Sequence, residues 1–317
     1  MSFGGEHGVR IGLSAVVMAL RDRRLCVLTT ETSEGELALP FGPFDPAGDR
    51  TFERALRAFV TAQTGFGLGF VEQLYTFGDA GRESPRPTPG PERQREISVG
   101  YLALTRDASA ADAADARWTP VFDAFPWEDR RDPADPIRPL IAEALTGWAG
   151  ADARRLARID GLFAIGSGLR WNEERVLERY ELLYEAGLVP EAARDGVGEP
   201  RTALPGLTMA SDHRRILATG LGRLRSKLKY RPVLFELAPE TFTLSDLQAA
   251  AEAVAGLPLH KQNFRRGVER TGLVEPTGRL SAATGGRPAE LFRFTGDGSG
   301  NGPRDGQAPG LALPAQR

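Results

Sequence analysis

The 317 residues are 41% hydrophobic, 26% charged and 8% aromatic, a balance that suits a globular protein of about two domains and excludes a collagen-like or miniature scaffold. Forty Lys and Arg against 42 Asp and Glu leave a formal net charge of -2, so the whole-chain balance signals neither a nucleic-acid binder nor an acidic tail protein. A lone cysteine (Cys26) forms no internal disulfide, three scattered histidines (His7, His213, His260) offer little for zinc, and no apolar run nears the ~20 residues of a bilayer span.

The amino terminus lacks a cationic segment followed by an apolar one, so the chain reads as cytoplasmic, with no membrane partner. Residues 11–20 (IGLSAVVMAL) and 25–30 are apolar, β-rich runs around a polar turn at 21–24, which predicts a hairpin. Phe52, Leu56, Phe59 and Val60 recur at helical spacing over 52–63, and Gly65 stops that helix. Strands follow at 70–77 and 97–104, separated by SPRPTPGPE (84–92), which is too proline-rich to be regular and reads as an exposed loop. This order predicts an α+β fold, with a mixed sheet and packed helices rather than a doubly wound parallel sheet. Cys26 falls in a predicted core strand, where a buried structural thiol is expected.

Residues 132–208 read as a helical insertion, with a helix over 172–186. The glycine-rich GLFAIGSGLR (161–170) lacks the lysine of a Walker A loop. A long helix over 211–228 keeps Ile216, Leu217, Leu221, Leu224 and Leu228 in register, weakened locally by Gly220 and Gly222. Residues 296–317 are Gly-, Pro- and Ala-rich without an apolar face, and read as a disordered tail.

The near-neutral total hides an asymmetry. Residues 210–295 hold 14 Lys and Arg against eight Asp and Glu, so this block carries +6 and the rest of the chain -8. Within it, FTLSDLQAAAEAVAGLPL predicts one helix, with Thr243 as N-cap and Gly256 as stop. A four-residue turn then leads into HKQNFRRGVERTGL, a second helix. Phe264 and Val268 are placed to bury, which leaves Lys261, Gln262, Asn263, Arg265, Arg266 and Arg270 outward as candidate DNA contacts. Residues 273–275 and 290–294 pair as a wing carrying Arg279 and Arg287, completing a winged helix-turn-helix. His260 reads as an exposed contact or cap, with no catalytic partner nearby.

The front part, with LPFGPFDPAGDRTFERALRAFVTAQTGF, resembles the Nudix fold. When the Nudix signature is anchored on Gly65, its apolar positions fall on Val60 and Phe66, its arginine position holds Ala58, and its three glutamate positions hold Phe59, Ala62 and Gln63. Magnesium-assisted pyrophosphate hydrolysis needs several carboxylates on one helix face, and Glu53 alone does not supply them. The expectation is therefore no enzyme and no metal or catalytic residue, only a cleft that binds a nucleotide without cutting it.

Over most of its length the chain is similar to the Nudix-related transcriptional regulators of NAD metabolism, in the alphaproteobacterial form. The similarity is carried by VEQLYTFGDAGRE with ISVGYLAL, ARWTPV, SDHRRILATGLGRLRSKLKYRPV, and FTLSDLQAAAEAVAGLPLHKQNFRRGVERTGLVEPTG with GRPAELFRF. That resemblance implies a homodimeric repressor on a palindromic operator of NAD biosynthesis genes, with ADP-ribose, NAD or ATP as effector and no other cofactor. It divides the chain into a sensor (9–131), the insertion (132–208), a closing helix (209–230), the winged helix-turn-helix (231–295) and the tail. Arg82 and Arg95 are candidates for the effector's phosphates, Tyr75 and Phe77 for its base, and Arg50 and Arg57 are further candidates on the degenerate helix. The alternative is an active Nudix-type nucleotide pyrophosphohydrolase with an accessory nucleic-acid-binding domain, told apart by turnover.

Overall fold

The computed structural model describes residues 9–65, 67–78, 95–106, 108, 116–166, 168–198, 201–281 and 288–296. The loop 84–92 and residues 297–317, and with them the expectations placed there, lie outside the described residues.

The front of the chain is a seven-stranded mixed sheet. Strands β1 (Val9–Arg21) and β2 (Arg24–Glu31) form the expected hairpin. Asp22 and Arg23 both adopt positive φ at its two-residue tip, the conformation that matches strand twist in a tight hairpin. Two short strands, β3 (Leu37–Ala38) and β4 (Phe41–Pro43), pair with β2 and β1 and lead into helix α1 (Phe52–Thr64). Thr51 caps α1 by accepting from Arg54 N, and Gly65 ends it in the left-handed region. Strands β5 (Phe70–Phe77), β6 (Arg95–Leu104) and β7 (Arg117–Pro120) complete the sheet. The main order is β3-β2-β1-β6-β5, and the β1–β6 pair is parallel, from Val9 opposite Arg95 to Met18 opposite Leu104.

The alternation along β1 decides what covers each face. Leu13, Ala15 and Val17 turn to α1, with Leu56, Val60 and Tyr101. Val16 and Met18 turn the other way, into a larger core that runs through every later helix. A short helix α2 (Val121–Ala124) and a 3-10 turn (Pro126–Glu128) leave the sheet. There follow α3 (Ile137–Ala149), α4 (Ala153–Phe163), α5 (Val176–Glu185) and α6 (Pro190–Arg194). The helix expected from 172 begins only at Val176, because the Asn172 carboxamide accepts from Glu174 N and fixes a turn ahead of it.

Helix α7 (His213–Leu228) lies across the second face of the sheet. Its glycines permit close approach: a β-carbon at Gly220 would sit 2.8 Å from Val16 Cγ1, and one at Gly222 2.9 Å from Glu174 O. These positions read in the sequence as weak points of the helix, and they are where its neighbours come nearest.

The carboxy-terminal unit consists of β8 (Thr241–Phe242), α8 (Leu244–Ala255), α9 (Lys261–Thr271), β9 (Val274–Leu280) and β10 (Glu290–Phe294). The three strands form an antiparallel sheet in the order β8-β10-β9. Phe294 stacks on Phe235, ring centroids 4.3 Å apart, and so ties the wing to the turn after α7.

Candidate nucleic-acid interface and effector cleft

The helix-turn-helix is held by local polar chemistry. Thr243 and Asp246 form a complete capping box at the start of α8, and Gly256 ends that helix at φ 67°. The turn to α9 is five residues, one more than the sequence spacing suggests, since His260 is the N-cap and α9 begins only at Lys261. Glu252 accepts from Leu259 N at 2.9 Å and from Gln248 Nε2 at 3.0 Å, while Gln248 also donates to Leu259 O. Two α8 side chains thereby set the path into α9.

On α9 only Phe264 and Val268 are buried. Lys261, Gln262, Asn263, Arg266 and Arg270 are exposed along the opposite side, presenting donors suited to base edges and phosphates. Arg265 differs from the expectation. It is half-buried, because Nη2 reaches back 3.5 Å to Ser245 Oγ across the start of α8, and Nε is enclosed with no acceptor among the described residues. On the wing, Arg279 is exposed near the end of β9, whereas Arg293 pairs with Glu275 at 2.6 Å. Arg287 lies outside the described residues.

The effector candidates are dispersed. Tyr75 is 63% exposed on β5, the edge strand, its ring edge-to-face with that of Phe77 at 5.4 Å between centroids. Phe77, two residues on, is buried instead: a strand bulge between Gln73 and Thr76 shifts the register, and its ring packs over Gly100. Phe77 is therefore a core residue and not a stacking surface. Arg57 is committed elsewhere too, since its guanidinium donates to Glu53 Oε1 and to the carbonyls of Leu68 and Gly69, which clamps the turn from α1 to β5. Arg50 is exposed before α1. Arg82 lies outside the described residues, and Arg95 enters only as the first residue of β6.

The α1 face does not suit magnesium. Phe59 packs on Gly42, Ala62 is exposed, and Gln63 donates to Phe41 O at 2.7 Å. Glu53 is spent on Arg57. Among the described residues no three His, Cys, Asp or Glu side chains gather as metal ligands. The metal usual for this fold does not fit these side chains.

A feature the sequence does not disclose joins these parts. The Glu128 carboxylate, fully buried, receives Arg179 of α5 through two bonds (2.6 and 2.9 Å) and Arg225 of α7 through one (2.5 Å), and Arg225 also donates to the Glu128 backbone O at 3.1 Å. Arg225 also donates to Val254 O at the end of α8, and Arg130 N donates to Gly256 O. Burial pushes the Glu128 carboxyl up, and the two guanidiniums more than offset it, so its pKa lies below the ordinary value. Burial works the other way on Arg225, whose pKa is lowered. Helices α5 and α7 thus meet at one carboxylate, and Arg225 links it to the end of α8. A second buried pair, Arg214 with Glu191 at 3.0 Å, lies under Phe125, Trp127 and Tyr180.

Residues 234–294 match the family described as the NrtR DNA-binding winged helix domain. The carboxy-terminal unit is thus similar to the NrtR winged helix. The likeness in fold extends beyond it: the crystal structure of Shewanella oneidensis NrtR with a 27mer DNA superposes with a TM-score of 0.55, at 21% identity, over 90% of this chain and 93% of that one. A MutT/nudix family protein from Enterococcus faecalis has the same arrangement, with a TM-score of 0.54 and 14% identity over 93% of this chain and 89% of that one. The fold is therefore a Nudix-like mixed sheet with packed helices ahead of a winged helix. In sequence, an 88-residue stretch is 40% identical to the ADPR responsive transcriptional repressor NtrR of Acinetobacter baylyi. That stretch spans 28% of this chain and 35% of the relative.

Proposed function

We propose that this chain is an ADP-ribose-responsive transcriptional repressor of NAD biosynthesis genes, acting as a homodimer on a palindromic operator in the cytoplasm. The observation that carries this reading is α9, an NrtR-type helix exposing Lys261, Gln262, Asn263, Arg266 and Arg270 beside a wing that exposes Arg279. Residues 231–295 read the operator, residues 9–131 sense the nucleotide, and the helix within 209–230 connects them. The relative's name supports ADP-ribose over NAD or ATP. Tyr75 supplies a stacking surface, and Arg50 with Arg82 and Arg95 the phosphate contacts. The side chains at the Nudix glutamate positions support binding without hydrolysis.

The deciding experiment is fluorescence anisotropy of labelled duplexes from upstream of its own gene and of NAD-synthesis genes, titrated with protein and then with ADP-ribose, NAD and ATP. Sequence-selective binding released by ADP-ribose alone is expected. Weak binding equal on every duplex, strongly salt-dependent and blind to nucleotides, overturns the reading. In the same assay Arg266→Ala is expected to weaken operator binding by ~1–3 kcal/mol where it meets a base, or uniformly across duplexes where it meets a phosphate. Its dimer and its nucleotide binding should be unchanged. No release of AMP from ADP-ribose with Mg²⁺ is expected, and turnover above background would establish the hydrolase instead.

A further inference from the structure

Arg130 and Arg138 lie where the body meets the turn into α9. Arg130 donates its backbone N–H to Gly256 O at 2.7 Å, and Arg138, in the first turn of α3, donates from Nη2 to Arg130 O at 2.9 Å. Both side chains are half-buried, and neither pairs with a carboxylate among the described residues. The Arg130 guanidinium stacks on Trp171, 4.2 Å from the ring centroid, and makes only a 3.5 Å donation to Phe163 O. Arg138 Nε is enclosed with no acceptor among the described residues, as is the indole N–H of Trp171.

The surrounding acids are already engaged. Glu128 is held by Arg179 and Arg225, Asp129 by Arg131, and the carboxylates of Asp132 and Asp135 accept from N–H groups of their own loop, at Ala134 and Ile137. Burial first, then the like charges of Arg138 and Arg179, lower the Arg130 pKa to about 10, with Glu128 alone opposing them. Neither guanidinium has a bonded carboxylate among the described residues, and both belong to the segment that meets the turn into α9. An enclosed N–H without an acceptor bears the full cost of leaving water, and a phosphate oxygen would relieve it.

We propose that Arg130 and Arg138 together bind a phosphate group at this junction. The phosphate belongs either to the DNA backbone flanking the α9 half-site or to a free phosphate or pyrophosphate group. The DNA source rests on the operator-binding reading, and the free source does not.

The test uses the full chain and Arg138→Gln. If the phosphate is DNA's, the variant weakens every duplex alike and the slope of log affinity against log salt becomes shallower by about one. If it is free, inorganic pyrophosphate raises the melting temperature of the native chain above that in chloride at equal ionic strength, and the variant loses the rise. A variant with native salt slope and native pyrophosphate response overturns the proposal, as does a native chain without a pyrophosphate response whose variant keeps the native slope. Should glutamine unfold the chain, Arg138→Lys keeps the charge and removes the fork; it is expected to lower affinity for all duplexes severalfold or to abolish the pyrophosphate rise, and neither change is again contrary. If the native chain binds no duplex, the operator reading has failed, and the pyrophosphate arm alone decides.

Discussion

Replacing Glu128 by alanine is expected to lower the unfolding free energy by about 3–5 kcal/mol, the range for removing one partner of a buried ionic cluster. The variant leaves Arg179 and Arg225, both without solvent exposure, facing each other with no carboxylate between them. Coulombic attraction is not the main reason. The cost lies in two desolvated guanidiniums that retain carbonyl partners at Leu162, Asn172, Glu173 and Val254 but lose their counter-charge. Denaturant titration of native and variant chains measures this, and a loss below about 1 kcal/mol would show that the guanidiniums relax toward water. The triple change Glu128→Leu, Arg179→Met, Arg225→Met should recover much of the loss, because apolar residues of similar volume avoid the desolvation cost.

The same site sets a pH dependence whose sign follows from the lowered Glu128 pKa. A carboxyl with a folded value below its unfolded one stabilises the protein above the unfolded value, near the ordinary carboxylate pKa, and loses that contribution as pH falls through the folded value. The native chain should therefore lose stability on the acid side, below about pH 4, and Glu128→Ala should lose part of that slope.

How much of this was legible in the sequence depends on the length of the signal. Helices α1, α8 and α9 repeat apolar residues and carry a cap or a glycine stop, and α7 repeats them over four turns, so their extents could be read closely. Strands β3, β4 and β8 have two or three residues and exist only through their pairing partners, which no local pattern encodes. Phe77 misled for a related reason. Alternation along 70–77 places Tyr75 and Phe77 on one face with equal exposure, and the bulge between Gln73 and Thr76, a property of the β5–β6 register, leaves Tyr75 exposed while Phe77 is buried. The buried arginines were the least legible: Arg179 and Arg225 sit among charged neighbours, where an arginine ordinarily points to water. Their acid, Glu128, is about 50 and 100 positions away, a distance over which spacing carries no information. The exposed cations of α9 were legible because a surface function needs only the helix face and its two buried anchors.

Gly256→Ala is expected to unseat the winged helix, and Gly272→Ala provides the comparison that shows why. Both glycines end a helix in the left-handed region, at φ 67° and 65°, so alanine at either should cost about 1–2 kcal/mol in backbone strain. They differ in surroundings. A β-carbon at Gly272 would meet nothing within 4 Å, whereas one at Gly256 would lie 2.2 Å from Glu128 O and 2.7 Å from Arg225 Nη2. The first of these atoms is backbone and the second belongs to the buried cluster, so neither yields without opening the junction. Overpacking there should add a further ~1–3 kcal/mol. The displacement also breaks the bond from Arg130 N to Gly256 O, and α9 begins five residues later. In the proposed dimer, whose two recognition helices would meet grooves one helical turn apart, such a shift should cost operator affinity at least the ~1.4 kcal/mol that corresponds to tenfold, while Gly272→Ala should cost far less. Unfolding and operator titrations of the pair test this. Equal losses at the two glycines would mean that backbone strain alone is at work, and that contact between Gly256 and Glu128 does not hold the reading head in place.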